Sequence, residues 1–176
     1  MINSNAAAGL NYGVFRRKDF NNTGTTLMFF DMGSSAVTAT IATFQLIKYK
    51  DDYEANPQMT IRGVGFDREL GGNQFTYRLA KHLAKLFQEK TKKDVFTNPK
   101  AIMKLYKEAD RVKSVLSANA DHFAQVEGLM DDVDFKAKVT REELMTLCAD
   151  LIDRIKKPIN DAIKAADILP VFILEI

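Results

Sequence analysis

The stretch Leu27-Met28-Phe29-Phe30-Asp31-Met32-Gly33-Ser34-Ser35 decides how the rest of the chain is read. A short apolar run ends in an acid, and a loop of small residues follows at once. The run reads as a strand. The loop, opened by Gly33, lets backbone N–H groups come close to a phosphate. The acid at the strand's end suits Mg²⁺, which takes a carboxylate together with waters and substrate phosphates. A strand, an acid and a glycine turn are also the pattern of an ordinary hairpin. The surrounding sequence has to separate the two readings.

Composition bounds the answer. The chain has 176 residues, enough for a core of its own. Its 46% hydrophobic and 27% charged residues are ordinary for a globular protein. The net charge of +2 gives no ground for nucleic acid or an anionic membrane as partner. Cys148 is the sole cysteine, so no internal disulfide forms. That fits a reducing compartment, and equally a portion of a secreted or lumenal protein. No apolar run reaches transmembrane length. Met1-Ile2-Asn3-Ser4-Asn5 lacks the basic and apolar regions of a signal peptide.

Outward from the decisive stretch, the first part of the chain reads as strands. Residues 2–13 form a short helix, weakened by Gly9, and Arg16 to Thr26 is a polar loop. Leu27–Asp31 and Val37–Lys48 are two strands turned by Gly33-Ser34-Ser35. The second is rich in Thr, Ile, Val and Phe. Tyr49 to Pro57 is a charged loop. Gln58–Gly65 is a third strand with Met59 and Ile61 on one face.

From residue 71 the pattern turns helical. Gly71-Gly72 precedes a helix with Phe75, Leu79, Leu83, Leu86 and Phe87 on one stripe. The glycine pair suits either a phosphate-facing turn or a plain helix entry. Asn98 is an N-cap with Pro99 at the first helical position. The helix that follows carries Ile102, Leu105, Ala109, Val112 and Leu116. Ser117 to Val139 is a strand hairpin turned around Gly128-Leu129-Met130-Asp131-Asp132. Thr140-Arg141-Glu142-Glu143 is a capping box. It opens a long helix through Leu144, Leu147, Leu151, Ile155 and Ile159, which Pro158 should kink or split. Val171–Leu174 reads as a buried strand.

Asp110, Lys113 and Ser117 are spaced three and then four residues apart, so they share one helix face beside the apolar stripe. Such a face lines a cleft or carries a solvated local ion pair worth a few tenths of a kcal/mol. His82 and His122 have no ligand spacing around them. Cys148 falls among apolar helix positions, as a small buried hydrophobe does. Asp131, Asp132 and Asp134 lack the regular spacing of a calcium loop and read as turn residues.

Together these pieces resemble the seventy-kilodalton heat-shock chaperones. Met28 to Ser35 is similar to that family's second phosphate motif. Gly63 to Gly72 looks like the strand and glycine pair that follow it, and Glu108 to Ser117 looks like the adenosine-contacting helix. Leu10 to Asp19, Leu116 to His122 and Val126 to Arg141 resemble the large lumenal branch, hypoxia-up-regulated and glucose-regulated, related to the 110-kilodalton group. The resemblance covers about residues 2–168.

The resemblance implies an α/β fold, the second lobe of an actin-like, ribonuclease-H-like ATPase, with ATP held between two lobes. Residues 1–26 would be a connecting helix and loop from the first lobe, and 27–70 the base sheet. Residues 71–148 would be the upper helical subdomain with its hairpin, and 149–176 the return helix and a truncated strand. It implies ATP and Mg²⁺ as cofactors. Asp31 would be the catalytic acid that organises Mg²⁺ through water. Gly33, Ser34, Ser35, Gly71, Gly72, Asp110, Lys113, Ser114 and Ser117 would bind nucleotide.

This sequence departs from the family in places. Ser34 and Ser35 stand where glycines are usual and Ala36 where a threonine is. Asp110 replaces a longer Glu, Ser114 an adenine-stacking Arg, Ser4 a Glu and Ala6 a Thr. The family's first phosphate loop, catalytic lysine and late adenosine loop are not in the sequence, so the chain is expected to be a portion of a longer protein and inactive as an ATPase by itself. The parent would be an ATP-dependent folding chaperone of the endoplasmic reticulum lumen and the stress response. Its partners would be unfolded clients and a related chaperone. The alternative is a non-catalytic interaction module, or a cochaperone that promotes nucleotide exchange on a partner chaperone. The adenosine helix favours either over a kinase of the same broad fold.

Overall fold

The computed structural model describes residues 1–50 and 53–169. The strand expected at Val171–Leu174 lies outside the described residues. The chain divides into two units, residues 1–71 with the segment from Asp153 onward, and residues 72–152.

The first unit is a three-stranded antiparallel meander, β1 (Thr25–Met32), β2 (Val37–Ile47) and β3 (Asn56–Asp67), in the order β1-β2-β3. Each face of this sheet has its own cluster. Leu27, Ala42 and Phe44 are buried with Phe20, and Tyr12, Phe29 and Met59 pack against them. Tyr12 comes from helix α1 (Ser4–Phe15), which Asn3 caps by accepting a hydrogen bond from the Asn5 N–H at 3.0 Å. Asn5 is itself buried and ties α1 to β2 by donating from Nδ2 to Thr40 Oγ1 at 3.1 Å. Ala39 and Ile41 belong to the other face, buried with Ala162 and Ala166 of helix α5 (Ala149–Ala166). A bulge opposite Ile41/Ala42 exchanges the faces of β3. Met59 and Ile61 lie on the α1 face before it, and Gly63 and Gly65 on the α5 face after it.

Those two glycines let α5 lie close. A Cβ on Gly63 would meet the Ala162 carbonyl oxygen at 2.3 Å, and one on Gly65 would meet that of Pro158 at 2.0 Å. This contact bears on Pro158, which neither splits nor ends the helix. Proline removes one backbone hydrogen bond inside α5, a cost of about 3 kcal/mol. Packing of Ile159, Ala162, Ile163 and Ala166 on the sheet offsets it. So does Arg154, whose guanidinium holds both oxygens of Asp67 at 2.8–3.2 Å. The long helix expected from Thr140 is broken instead at Cys148, between α4 (Arg141–Leu147) and α5. Cys148 takes φ −114°, ψ 9° while its N–H donates to Leu144 O at 3.1 Å.

The second unit holds α2 (Gly72–Thr91), α3 (Pro99–Leu116), the hairpin β4 (Asp121–Met130) and β5 (Val133–Thr140), α4, and the first turn of α5. The helix starts follow the sequence. Asn98 Oδ1 accepts from the N–H groups of Lys100 and Ala101, and the Thr140/Glu143 capping box is complete. The buried stripe of α2 is Thr76, Leu79, Ala80, Leu83, Ala84 and Phe87, while Phe75 and Leu86 flank it half-buried. Phe87 meets Phe135 edge-on at 5.9 Å. The hairpin turns at Asp131-Asp132, both at positive φ (49° and 58°), as a two-residue turn of the twisted type requires. Gly128, at φ 50°, serves the irregularity in register between Val126 and Met130.

Candidate functional site

In the first unit, Asp31 stands at the exposed end of β1, opposite Thr38. Its carboxylate takes no hydrogen bond from the described residues. Gly33 donates its own N–H to Ala36 O at 2.9 Å, which closes the loop and removes that group from use. The free donors are the backbone N–H groups of the exposed Ser34 and Ser35, which bond nothing among the described residues. A Cβ on Gly33 would meet only Ala36 O, at an ordinary 3.7 Å. No contact among the described residues therefore demands glycine at 33, and its bare backbone leaves space beside the acid.

Gly71 has a different job. A Cβ there would sit 2.5–2.6 Å from the Ser34 carbonyl and the Ser35 nitrogen. This buried glycine lets the Gly33–Ala36 loop rest directly on the backbone after β3. It shapes the loop from beneath.

Among the described residues no group of three His, Cys, Asp or Glu side chains gathers to hold a metal. A lone exposed carboxylate beside free backbone N–H groups fits Mg²⁺ carried on a nucleotide, held through water by Asp31, rather than an ion caged by protein ligands.

The second unit's polar residues are held by one another. Asp110 and Lys113 pair at 2.7 Å, one helix turn apart on α3. Thr76, fully buried in α2, joins them. Its Oγ1 receives Lys113 Nζ at 2.7 Å and lies 3.0 Å from Asp110 Oδ1 and 3.2 Å from Gly72 O. Lys113 also reaches Gly72 O at 3.4 Å. Hydrogen bonding from Lys113, then from Thr76, holds the Asp110 carboxyl below the usual aspartate range. Sequence spacing placed Asp110 and Lys113 together and missed Thr76. The available signal was a polar residue on an otherwise apolar stripe. Ser114 and Ser117 turn their hydroxyls onto α3 itself, to Asp110 O at 3.0 Å and Ser114 O at 2.7 Å.

Two residues before Asp110, Glu108 is buried and accepts from Arg111 at 2.6 and 2.9 Å and from the Gln125 N–H at 2.7 Å. Burial alone would raise its pKa. The Arg111 guanidinium and the Gln125 N–H outweigh burial and hold the group below its ordinary value. Arg111 then reaches His122 Nε2 at 3.0 Å, so this histidine belongs to the α3–β4 seam. Asp131 pairs with Lys93 at 2.8 Å, and Asp134 accepts the Gly128 N–H at 2.7 Å, which gives the acidic turn its structural use. Cys148 is buried, and burial pushes its thiol up.

The antiparallel meander and the helical unit agree with the actin-like ATPase class that the resemblance implies. The family model described as "Hsp70 protein" matches residues 1–176. "Hypoxia up-regulated protein 1" of Danio rerio is 59% identical over 169 residues, covering 95% of this chain and 17% of that protein. The Xenopus laevis protein of the same name is 59% identical, with coverage of 95% and 26%. The Homo sapiens one is 56% identical over 171 residues, with coverage of 95% and 17%. The chain belongs to the Hsp70 family, within its nucleotide-binding domain. It spans 17–26% of the length of these curated relatives. Among the described residues no helix is long and apolar enough to cross a membrane.

Proposed function

We propose that this chain is the part of a chaperone's ATP-binding domain that meets the phosphates through its first unit and the nucleoside through its second. Asp31 would hold Mg²⁺ through water, and the free N–H groups of Ser34 and Ser35 beside Gly33 would donate to phosphate. Gly71 supports that loop. Gly72, Asp110, Lys113, Ser114 and Ser117 form the nucleoside-facing group. The bound Mg²⁺ neutralises phosphate charge. The observation that carries the reading is the exposed Asp31 carboxylate beside an open loop with two unused N–H donors.

The parent protein, on this reading, couples ATP binding to the folding of unfolded clients in the endoplasmic reticulum lumen under stress. This follows the branch resemblance and the relatives' shared name. The chain by itself binds ATP weakly and does not turn it over at a useful rate. Phosphoryl transfer depends on positioning and charge stabilisation, and a phosphate left facing water gains little from either. Ser34, Ser35 and Ala36, in place of the family's glycines and threonine, favour a second reading. In it the domain is a non-catalytic interaction module, or a cochaperone of the nucleotide-exchange type, that binds a related partner chaperone without turnover.

The test is ATP turnover by the purified chain beside Asp31→Asn. We expect negligible turnover from both, with weak Mg-ATP binding in the wild type that Asp31→Asn reduces. Turnover equal to that of an intact two-lobe chaperone, abolished by Asp31→Asn, would contradict the proposal that this chain is only part of the catalytic unit.

A further inference from the structure

The ammonium of Lys113 has three N–H donors, and the structure directs them at three acceptors: Thr76 Oγ1 and Asp110 Oδ1 at 2.7 Å each, and Gly72 O at 3.4 Å. Asp110 Oδ1 is likewise occupied, by Lys113 and by Thr76. What the pair still offers a ligand is the second Asp110 oxygen, Oδ2, which takes no hydrogen bond from the described residues. Asp110 is also the more exposed partner, at 58% against 26% for the lysine side chain. The Thr76 hydroxyl ties α2 to both members of the pair on α3, accepting from Lys113 and lying 3.0 Å from Asp110 Oδ1.

We propose that Thr76 is a positioning residue for the nucleoside-facing group: its buried hydroxyl fixes the Lys113 ammonium against the start of α2 and so sets how Asp110 is presented to the nucleotide. This rests on the reading of Asp110 and Lys113 given above. Valine at 76 keeps the volume but has neither the acceptor for Lys113 nor the donor for Asp110. Lys113 then recovers its donor by moving toward solvent, and Asp110 loses two fixed neighbours. A serine keeps the hydroxyl and loses only a methyl group.

The test uses the whole chain and two readouts, with ADP as the probe. The first is the ¹³C titration of the Asp110 carboxyl without ligand. The second is ADP affinity. In Thr76→Val the Asp110 midpoint moves up toward the ordinary aspartate value, and ADP binds roughly tenfold more weakly, as expected for the loss of a hydrogen bond to a charged group. Thr76→Ser keeps both near wild type. A filler of α2–α3 packing would lower thermal stability in Thr76→Val without moving the Asp110 titration, and that result overturns the proposal. So does a serine variant that behaves like the valine one. If the wild type takes up no ADP while the Asp110 midpoint still moves in Thr76→Val, the nucleotide reading fails and Thr76 stands as the group that holds the pair.

Discussion

Each unit has its own internal means of support. In the first, the decisive contacts are backbone on backbone, made possible by missing side chains: Gly63 and Gly65 against α5, and Gly71 against Ser34 and Ser35. In the second, they are charged or polar side chains that satisfy one another: Thr76 with Asp110 and Lys113, Glu108 with Arg111 and Gln125, and Arg78 with Asp150 at 2.6 Å. Its described glycine at 128 has nothing within 4 Å of a built Cβ. A backbone seat gives a rigid loop whose own N–H groups remain available. A side-chain network gives a preformed polar surface in which most donors are already used. The first suits phosphates, which any backbone N–H can bind. The second suits a nucleoside, which needs particular groups in particular places.

The largest expected effect breaks the first unit alone. Gly65→Val places side-chain carbons on the Pro158 carbonyl, and we expect a loss of about 3 kcal/mol or more. Hydrogen exchange should show β2 and β3 deprotected while α2 and α3 keep their protection. Joint loss in both units would mean that they are not separate in stability.

Glu108→Ala strikes the second unit's network and leaves Arg111 and the Gln125 N–H without their acceptor. We expect a cost of about 2 kcal/mol by denaturant unfolding. The pH dependence has a definite sign. Because the folded pKa of Glu108 is depressed, its stabilisation is fully present above the ordinary value of about 4.5 and is lost as pH falls through the folded value. The alanine variant should lack that acid-side slope.

Gly71→Ala tests the seat beneath the loop and should cost about 1 kcal/mol, through displacement of Ser34 and Ser35 rather than collapse of the sheet. Amide shifts confined to residues 33–36 and their neighbours are the expected signature. The smallest effect belongs to Ser34→Gly with Ser35→Gly. Both positions are exposed, so stability should stay within about 0.5 kcal/mol by thermal unfolding. Any gain should appear in Mg-ATP affinity instead.

What the sequence made legible follows the same division. Local signals were readable: the Asn98-Pro99 start, the Thr140–Glu143 capping box, the apolar stripe of α3, and the i,i+3 pairing of Asp110 with Lys113. Each depends on residues a few positions apart. The glycine seats were not readable, because Gly65 meets Pro158 and Gly71 meets Ser34 across long stretches of chain. The continuity of α5 through Pro158 was not readable for that reason, since the proline's cost is offset by a sheet whose contribution no local pattern shows. The helix break at Cys148 has no breaker residue to announce it. The hairpin turn was legible within Gly128 to Asp132, and the structure narrows it to Asp131-Asp132. Thr76 was passed over because its partners Asp110 and Lys113 lie more than thirty residues away, on another helix.

The loop after Asp31 and the α3 face around Asp110 are the two surfaces of this chain that we propose face the nucleotide. Titration of the ¹⁵N-labelled protein with Mg-ADP, followed residue by residue, tests this proposal most directly. We expect saturable shifts at Asp31, Gly33, Ser34 and Ser35 and at Thr76, Asp110, Lys113 and Ser117, with the outer face of α1 unchanged. Saturable binding that leaves both sets unmoved and shifts another surface would contradict it.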